Sequence, residues 1–113
     1  MATVLGRDFF IAESLSASEI SEPQETKAKD VNFTGFLKLE NGASTPNFDV
    51  LIQHSVDGVN WETLITFTTI TADGIETIDV DNTTGHVYRY VRANVTRNSG
   101  SGDITCSLLY DRR

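Results

Sequence analysis

Sulfur, positive charge and long apolar runs are all scarce in this chain, and each scarcity removes a class of protein. One cysteine, Cys106, in 113 residues leaves no internal disulfide framework. It stands between β-forming residues in Ile104-Thr-Cys-Ser-Leu-Leu-Tyr110 and reads as a small buried hydrophobe, ahead of a reactive thiol. Nine Lys and Arg against sixteen Asp and Glu give a net charge of −7, the wrong sign for a nucleic-acid binder. Arg89, Arg92 and Arg97 are spaced along one strand-like run, so they read as surface and subunit contacts, not as a phosphate track. No apolar stretch nears the roughly 20 residues of a membrane-spanning helix. The opening Met1-Ala-Thr-Val-Leu-Gly-Arg7 has no apolar core of a secretory signal, so a cytosolic origin is expected. Two prolines and eight glycines are too few to suggest wholesale disorder.

What the chain does have is period-two alternation. Phe48-Asp-Val-Leu-Ile-Gln-His-Ser55 and Trp61-Glu-Thr-Leu-Ile-Thr-Phe67 are strand-like arms on either side of Asp57-Gly58. Asp-Gly between two such arms is a strong signal for a tight hairpin of type I′, which needs positive φ at both central residues. Phe48, Val50 and Ile52 share one side of the first arm; Trp61, Thr63, Ile65 and Phe67 share one side of the second. On that register Trp61 plugs the core, with a ligand platform as its alternative, and Asp57 and Gly58 are structural.

Further strands follow the same rule. Val31 to Glu40 alternates, His86 to Thr96 alternates, and Asp103 to Asp111 places Ile104, Cys106, Leu108 and Tyr110 on one side. In the His86 run Val87, Val91, Ala93 and Val95 oppose Tyr88, Tyr90 and Arg92, so one face suits a core and the other a neighbour. Turn-rich stretches at Asn41–Asn47, Ala72–Gly74, Asp81–Gly85 and Arg97–Gly102 divide the strands. About six to eight strands without a long helix predict an all-β chain, an antiparallel β-sandwich of jelly-roll-like topology. Residues 31–113 form that domain. Residues 1–30 form an N-terminal strand and arm: a short strand over Asp8–Glu13, then a Ser- and Glu-rich segment, 14–30, that orders against a partner. Its Glu22, Pro23, Lys27 and Lys29 are candidate contacts with a sister subunit or a larger surface.

Reactive constellations are scarce. His54 and His86 lie on different segments, without a second His or Cys at ligand spacing. Asp79–Gly85 begins like a calcium loop but lacks the bidentate glutamate, and reads as a turn. No nucleophile elbow is present, and Ser99-Gly-Ser-Gly102 precedes a strand where a phosphate loop needs a helix. The expectation is a non-enzyme without metal or cofactor. Carbohydrate binding is the open small-ligand alternative, through Trp61, Tyr88, Tyr90 or Tyr110.

The string Gln53-His-Ser-Val-Asp-Gly-Val-Asn-Trp61, with Tyr88-Arg-Tyr-Val-Arg92 further on, resembles small β-sandwich virion proteins of tailed phages. These carry a Gln-x-Ser-x-Asp-Gly-x-x-Trp hairpin and a later Tyr-x-Arg strand. The resemblance spans roughly residues 31–110. It implies a head decoration, or cement, protein on the capsid surface that bridges major capsid subunits and is assembled in the host cytoplasm. A symmetric homo-oligomer, a trimer by preference, would present Tyr88, Tyr90 and Arg92 to a sister subunit or the capsid. A carbohydrate-binding module on a virion fibre, or a neck or tail component, is the alternative.

Overall fold

The computed structural model describes residues 4–26, 32–80 and 89–111. They form an all-β chain of seven strands: β1 (Val4–Leu15), β2 (Glu19–Ile20), β3 (Gln24–Glu25), β4 (Asn32–Ser55), β5 (Glu62–Thr66), β6 (Gly74–Val80) and β7 (Tyr90–Asp111). All pairings are antiparallel. The expected all-β class is what the chain adopts.

The two longest strands organise everything else. β4 and β7 pair with each other along nearly their whole length, from Asn32↔Asp111 to Ser55↔Tyr90. The first part of β4 also pairs with β6, and its last part with β5. The last part of β7 pairs with β1, and its first part with β2 and β3. One half of the sheet is therefore ordered β1–β7–β4–β6 and the other β2/β3–β7–β4–β5. Read along the chain, the first segment pairs with the last, the second with the second-last, and so inward to the β4–β5 hairpin. That is a long two-stranded ribbon rolled up until β4 meets β7, the strand order of a jelly roll. It is wound from one continuous hydrogen-bonded sheet.

The roll needs a corner, and the sequence supplies it where turns were expected. Asn41–Asn47 and Arg97–Gly102 do not end strands; they face each other as matched bends in β4 and β7. The pairing register shifts between Glu40 and Ala43, Ala43 and Asn47, and Asn47 and Phe48. Asn41, Ser44, Thr45 and Gly100 take positive φ there. Irregularities of this kind bend and twist a strand without breaking its pairing. Gly100 has no alternative: its φ is +70°, and a Cβ would stand 2.6 Å from Pro46 Cα.

Alternation then builds the core. Phe33, Leu37, Leu39, Phe48, Val50, Ile52, Val91, Ala93, Val95, Ile104, Cys106 and Leu108 are all buried, with Ile65 and Phe67 of the β5 side. The two halves meet over this single cluster. Gly35 of β4 shows the closeness: a Cβ at that position would lie 2.8 Å from Ile65 Cδ1 and 3.0 Å from Phe67 Cζ.

The N-terminal segment departs from expectation. Residues 4–26 belong to the same sheet as the rest and do not form a separate arm. β1 is longer than the expected Asp8–Glu13 and pairs with β7 from Val4↔Asp111 to Leu15↔Gly102. Within the Ser- and Glu-rich segment the main chain pairs with β7 as an edge strand: Ser21 N donates to Ala93 O at 2.9 Å and Thr26 N to Arg89 O at 2.7 Å. Serine side chains complete the ladder, Ser21 Oγ accepting from Ala93 N at 2.8 Å and Ser18 Oγ from Arg97 N at 2.9 Å. Polar composition suits an edge strand with one side in water as well as it suits an arm. The long β7 needs partners on both sides, and this segment is the second one.

Candidate functional site

The β4–β5 hairpin and the start of β7 carry the residues singled out by sequence. Their connection is wider than a two-residue turn: the last pair is His54↔Glu62. Only Gly58, at φ +76°, takes positive φ; Asp57 does not, so type I′ geometry is absent. The Asp57 carboxylate holds the loop together. Its Oδ1 accepts from Val59 N and Asn60 N, each at 2.8 Å, and from Ser55 Oγ at 2.9 Å; its Oδ2 accepts from Asn60 Nδ2 at 2.7 Å. These donors, the Asn60 main-chain N–H foremost, hold the carboxyl far below its ordinary range. Ser55 Oγ accepts in turn from Gly58 N at 2.9 Å. Asp57 and Gly58 thus close the loop by a geometry other than the type I′ turn.

Trp61 is corrected. It is half-buried and outside the core. The cause is a bulge: Ile52 pairs with Ile65, but Gln53 pairs with Thr63, so Leu64 is an extra residue. One extra residue reverses the side of everything before it. Ile65 and Phe67 stay inside, while Thr63 and Trp61 move to the outer face.

On that face Trp61 meets the cation of Arg92. The guanidinium carbon lies 4.2 Å from the indole centroid, and Arg92 Nε donates to Gln53 Oε1 at 2.8 Å. Gln53 and Arg92 are cross-strand partners, so sheet register places all three. Arg92 forms no ion pair among the described residues. Tyr90 lies on the same outward side of β7, its ring 3.7 Å from where a Gly58 Cβ would stand. The neighbouring Arg89 lies 5.3 Å from the Tyr90 centroid and pairs with Glu25 at 2.9 Å. Beyond them Val56 and Val59 are largely exposed at the loop tip, 64% and 76%. Stacked arginine, aromatic rings and exposed valines make a surface suited to contact with another macromolecule.

The remaining candidates lie on the neighbouring edge strand, in the core or outside the described residues. Glu22 and Pro23 are exposed between β2 and β3, on the stretch between Ser21, bonded to Ala93, and Gln24, paired with Val91, and so across from Arg92. Tyr88, Lys27 and Lys29, like His86, lie outside the described residues. His54 is buried, and desolvation lowers its pKa against the opposing pull of Glu62. Burial pushes the Cys106 thiol up to about 12, which fits an inert core residue. Among the described residues no group of three or more His, Cys, Asp or Glu is placed to hold a metal ion. The Glu25–Arg89 pair and the valine tip escaped sequence reading. Alternation reports which way a residue faces, not what meets it across 64 residues of chain.

The chain matches no protein-family model and no curated protein.

Proposed function

We propose that this chain is a structural protein of a tailed-phage virion, a head decoration protein that binds the outer capsid surface and bridges major capsid subunits. One observation carries the reading. The residues of the phage-like pattern, Gln53, Ser55, Asp57, Gly58, Trp61, Tyr90 and Arg92, form a single constellation at one end of a jelly-roll sheet. That constellation is built for contact: a braced loop, an arginine held flat on an indole, and two exposed valines. Its Ser55 hydroxyl is buried and donates to an Asp57 carboxylate whose lowered pKa makes it a poor base. The protein acts as a symmetric oligomer, a trimer by preference, assembled in the host cytoplasm, without cofactor, nucleic acid or membrane.

A carbohydrate-binding module on a virion fibre is the second reading, favoured by the outward position of Trp61. Against it, Arg92 covers a face of that ring at 4.2 Å, where a sugar would stack. A neck or tail position keeps the structural role and changes the partner. Mass spectrometry of purified virions, with binding of the purified chain to emptied capsids, tests the proposal. Saturable binding to the head supports decoration. Absence from the particle, or a glycan-array signal abolished by Trp61→Ala, overturns it.

A further inference from the structure

We infer that two copies of this chain pair through their β6 strands, antiparallel about a two-fold axis at Thr77, so that one sheet runs through both. The contact goes beyond the proposed function and does not depend on capsid binding. It lies on the half of the sheet that does not carry Tyr90 and Arg92, and would tie one expected trimer to another.

β6 is an open edge. Its seven residues pair with β4 without a break, from Phe33↔Val80 to Leu39↔Gly74, and among the described residues no strand pairs with its other side. Along a regular strand every second residue then turns its N–H and C=O outward, away from β4. Protein edges usually carry a bulge, a proline, a lysine or a very short strand against such pairing. The other edges of this sheet are interrupted in these ways. β1 shifts register between Asp8 and Phe10 and again between Phe10 and Glu13, and β5 is bulged. β2 and β3 are two residues each, with Pro23 between them. Gly74-Ile-Glu-Thr-Ile-Asp-Val80 has none of these devices. Its two acids are engaged within the copy: Glu76 Oε1 accepts from Thr68 N at 2.8 Å, and Asp79 Oδ1 from Thr34 Oγ1 at 2.8 Å. Apolar side chains remain at the edge. Ile75 is 62% exposed, and Ile78 and Val80 are half-buried against the core.

The strand is complementary to itself, which names a second copy as its occupant. Thr77 is the midpoint, so an axis there pairs the whole strand: Gly74 with Val80 of the second copy, Ile75 with Asp79 and Glu76 with Ile78. Threonine faces threonine at the axis, a favourable cross-strand pair, and no carboxylate directly opposes another. With the axis perpendicular to the sheet the core sides of both copies coincide, and Ile78 and Val80 gain cover. Such a contact is isologous and closes on itself, because the same edge is used up on both copies. It is made of main chain and apolar groups between two bodies of charge −7, so salt should strengthen it by screening their repulsion.

Sedimentation velocity of the full chain over a concentration series, at low and high salt, tests this. The wild type should associate in even numbers of copies, and more tightly at high salt. Thr77 is exposed, and circular dichroism confirms that variants at this position fold. Thr77→Lys or Thr77→Glu alone sets like charges face to face and should raise the dissociation constant of the pair about tenfold or more. Mixed one to one, the two variants should pair again. Under mild oxidation Thr77→Cys should cross-link copy to copy, since facing Cα atoms of antiparallel strands lie roughly 4.5–5.5 Å apart, within disulfide reach. Glu13→Cys, on the far edge, should not. A wild type that is monomeric or simply trimeric, a Thr77→Lys variant that associates like wild type, or a Thr77→Cys variant that stays uncross-linked would each overturn the inference. A monomeric wild type whose capsid binding is lost on Thr77→Lys gives the edge to a strand of another protein, which also overturns self-pairing. A paired chain that ignores capsids supports the pairing and removes decoration.

Discussion

Asp57 shows how one side chain replaces a turn type. Its four accepted hydrogen bonds fix the loop that an Asp-Gly turn of the tighter kind would have closed by backbone geometry alone. Because the folded state lowers its pKa below the ordinary 3.8, its contribution to stability is complete above that value and disappears as pH falls below it. Asp57→Asn should therefore lower the melting temperature at pH 7 and flatten its dependence on pH between about 5 and 2, as a calorimetric pH series would record. The Trp61–Arg92 stack is open to a double-mutant cycle. Trp61→Phe, Arg92→Gln and the double variant, compared by urea denaturation, should give a coupling of about 0.5–1 kcal/mol. A coupling of zero would mean that the two groups are merely adjacent. Cys106 should resist a thiol reagent in the native protein and react only on unfolding, since its thiolate is suppressed by burial.

At the scale of elements, the corner in β4 and β7 is the least replaceable feature. Gly100 combines a left-handed φ with backbone on every side: Pro46 Cα at 2.6 Å and Ala43 O at 2.7 Å from a built Cβ. Main chain, unlike a side-chain end, has no room to yield. Gly100→Ala should cost at least about 2 kcal/mol, read as a drop in the denaturation midpoint. Gly35→Ala meets side-chain atoms of Ile65 and Phe67 instead, which can shift, and should cost less. The bulge at Leu64 is the second decisive element. By reversing the side of Trp61 it takes a large aromatic out of the core and puts it beneath an arginine.

The molecule as a whole depends on strands that serve both halves of one sheet. Since β1, β2 and β3 all pair with β7, removing residues 1–26 would strip its outer partner along most of its length. It would also take the buried Phe10 and Leu15 out of the core. The shortened chain should lose its cooperative thermal transition; an arm of the expected kind would come off without consequence. Circular dichroism melting separates these outcomes. The rolled order also accounts for the distance in sequence between the parts of the outer site. The β4–β5 hairpin is the tip of the ribbon, and only rolling lays β7 beside it, so Gln53 meets Arg92 across 39 residues.

Alternation of side chains, fixed by the pleat, by itself determined that this chain is antiparallel β and which residues of β4 and β7 face inward: Phe33, Leu37, Leu39, Val91, Ala93, Val95, Ile104, Cys106 and Leu108 were all legible. It also named Tyr90 and Arg92 as the outward face of β7. What only the tertiary structure decided were the points where pairing breaks the period. A bulge and two matched bends are choices made between strands, invisible along one strand. They put Trp61 outside, turned two apparent loops into a corner, and gave the Ser- and Glu-rich segment an edge to fill. A local sequence specifies a ribbon and its faces; the partner strand decides where that ribbon bends.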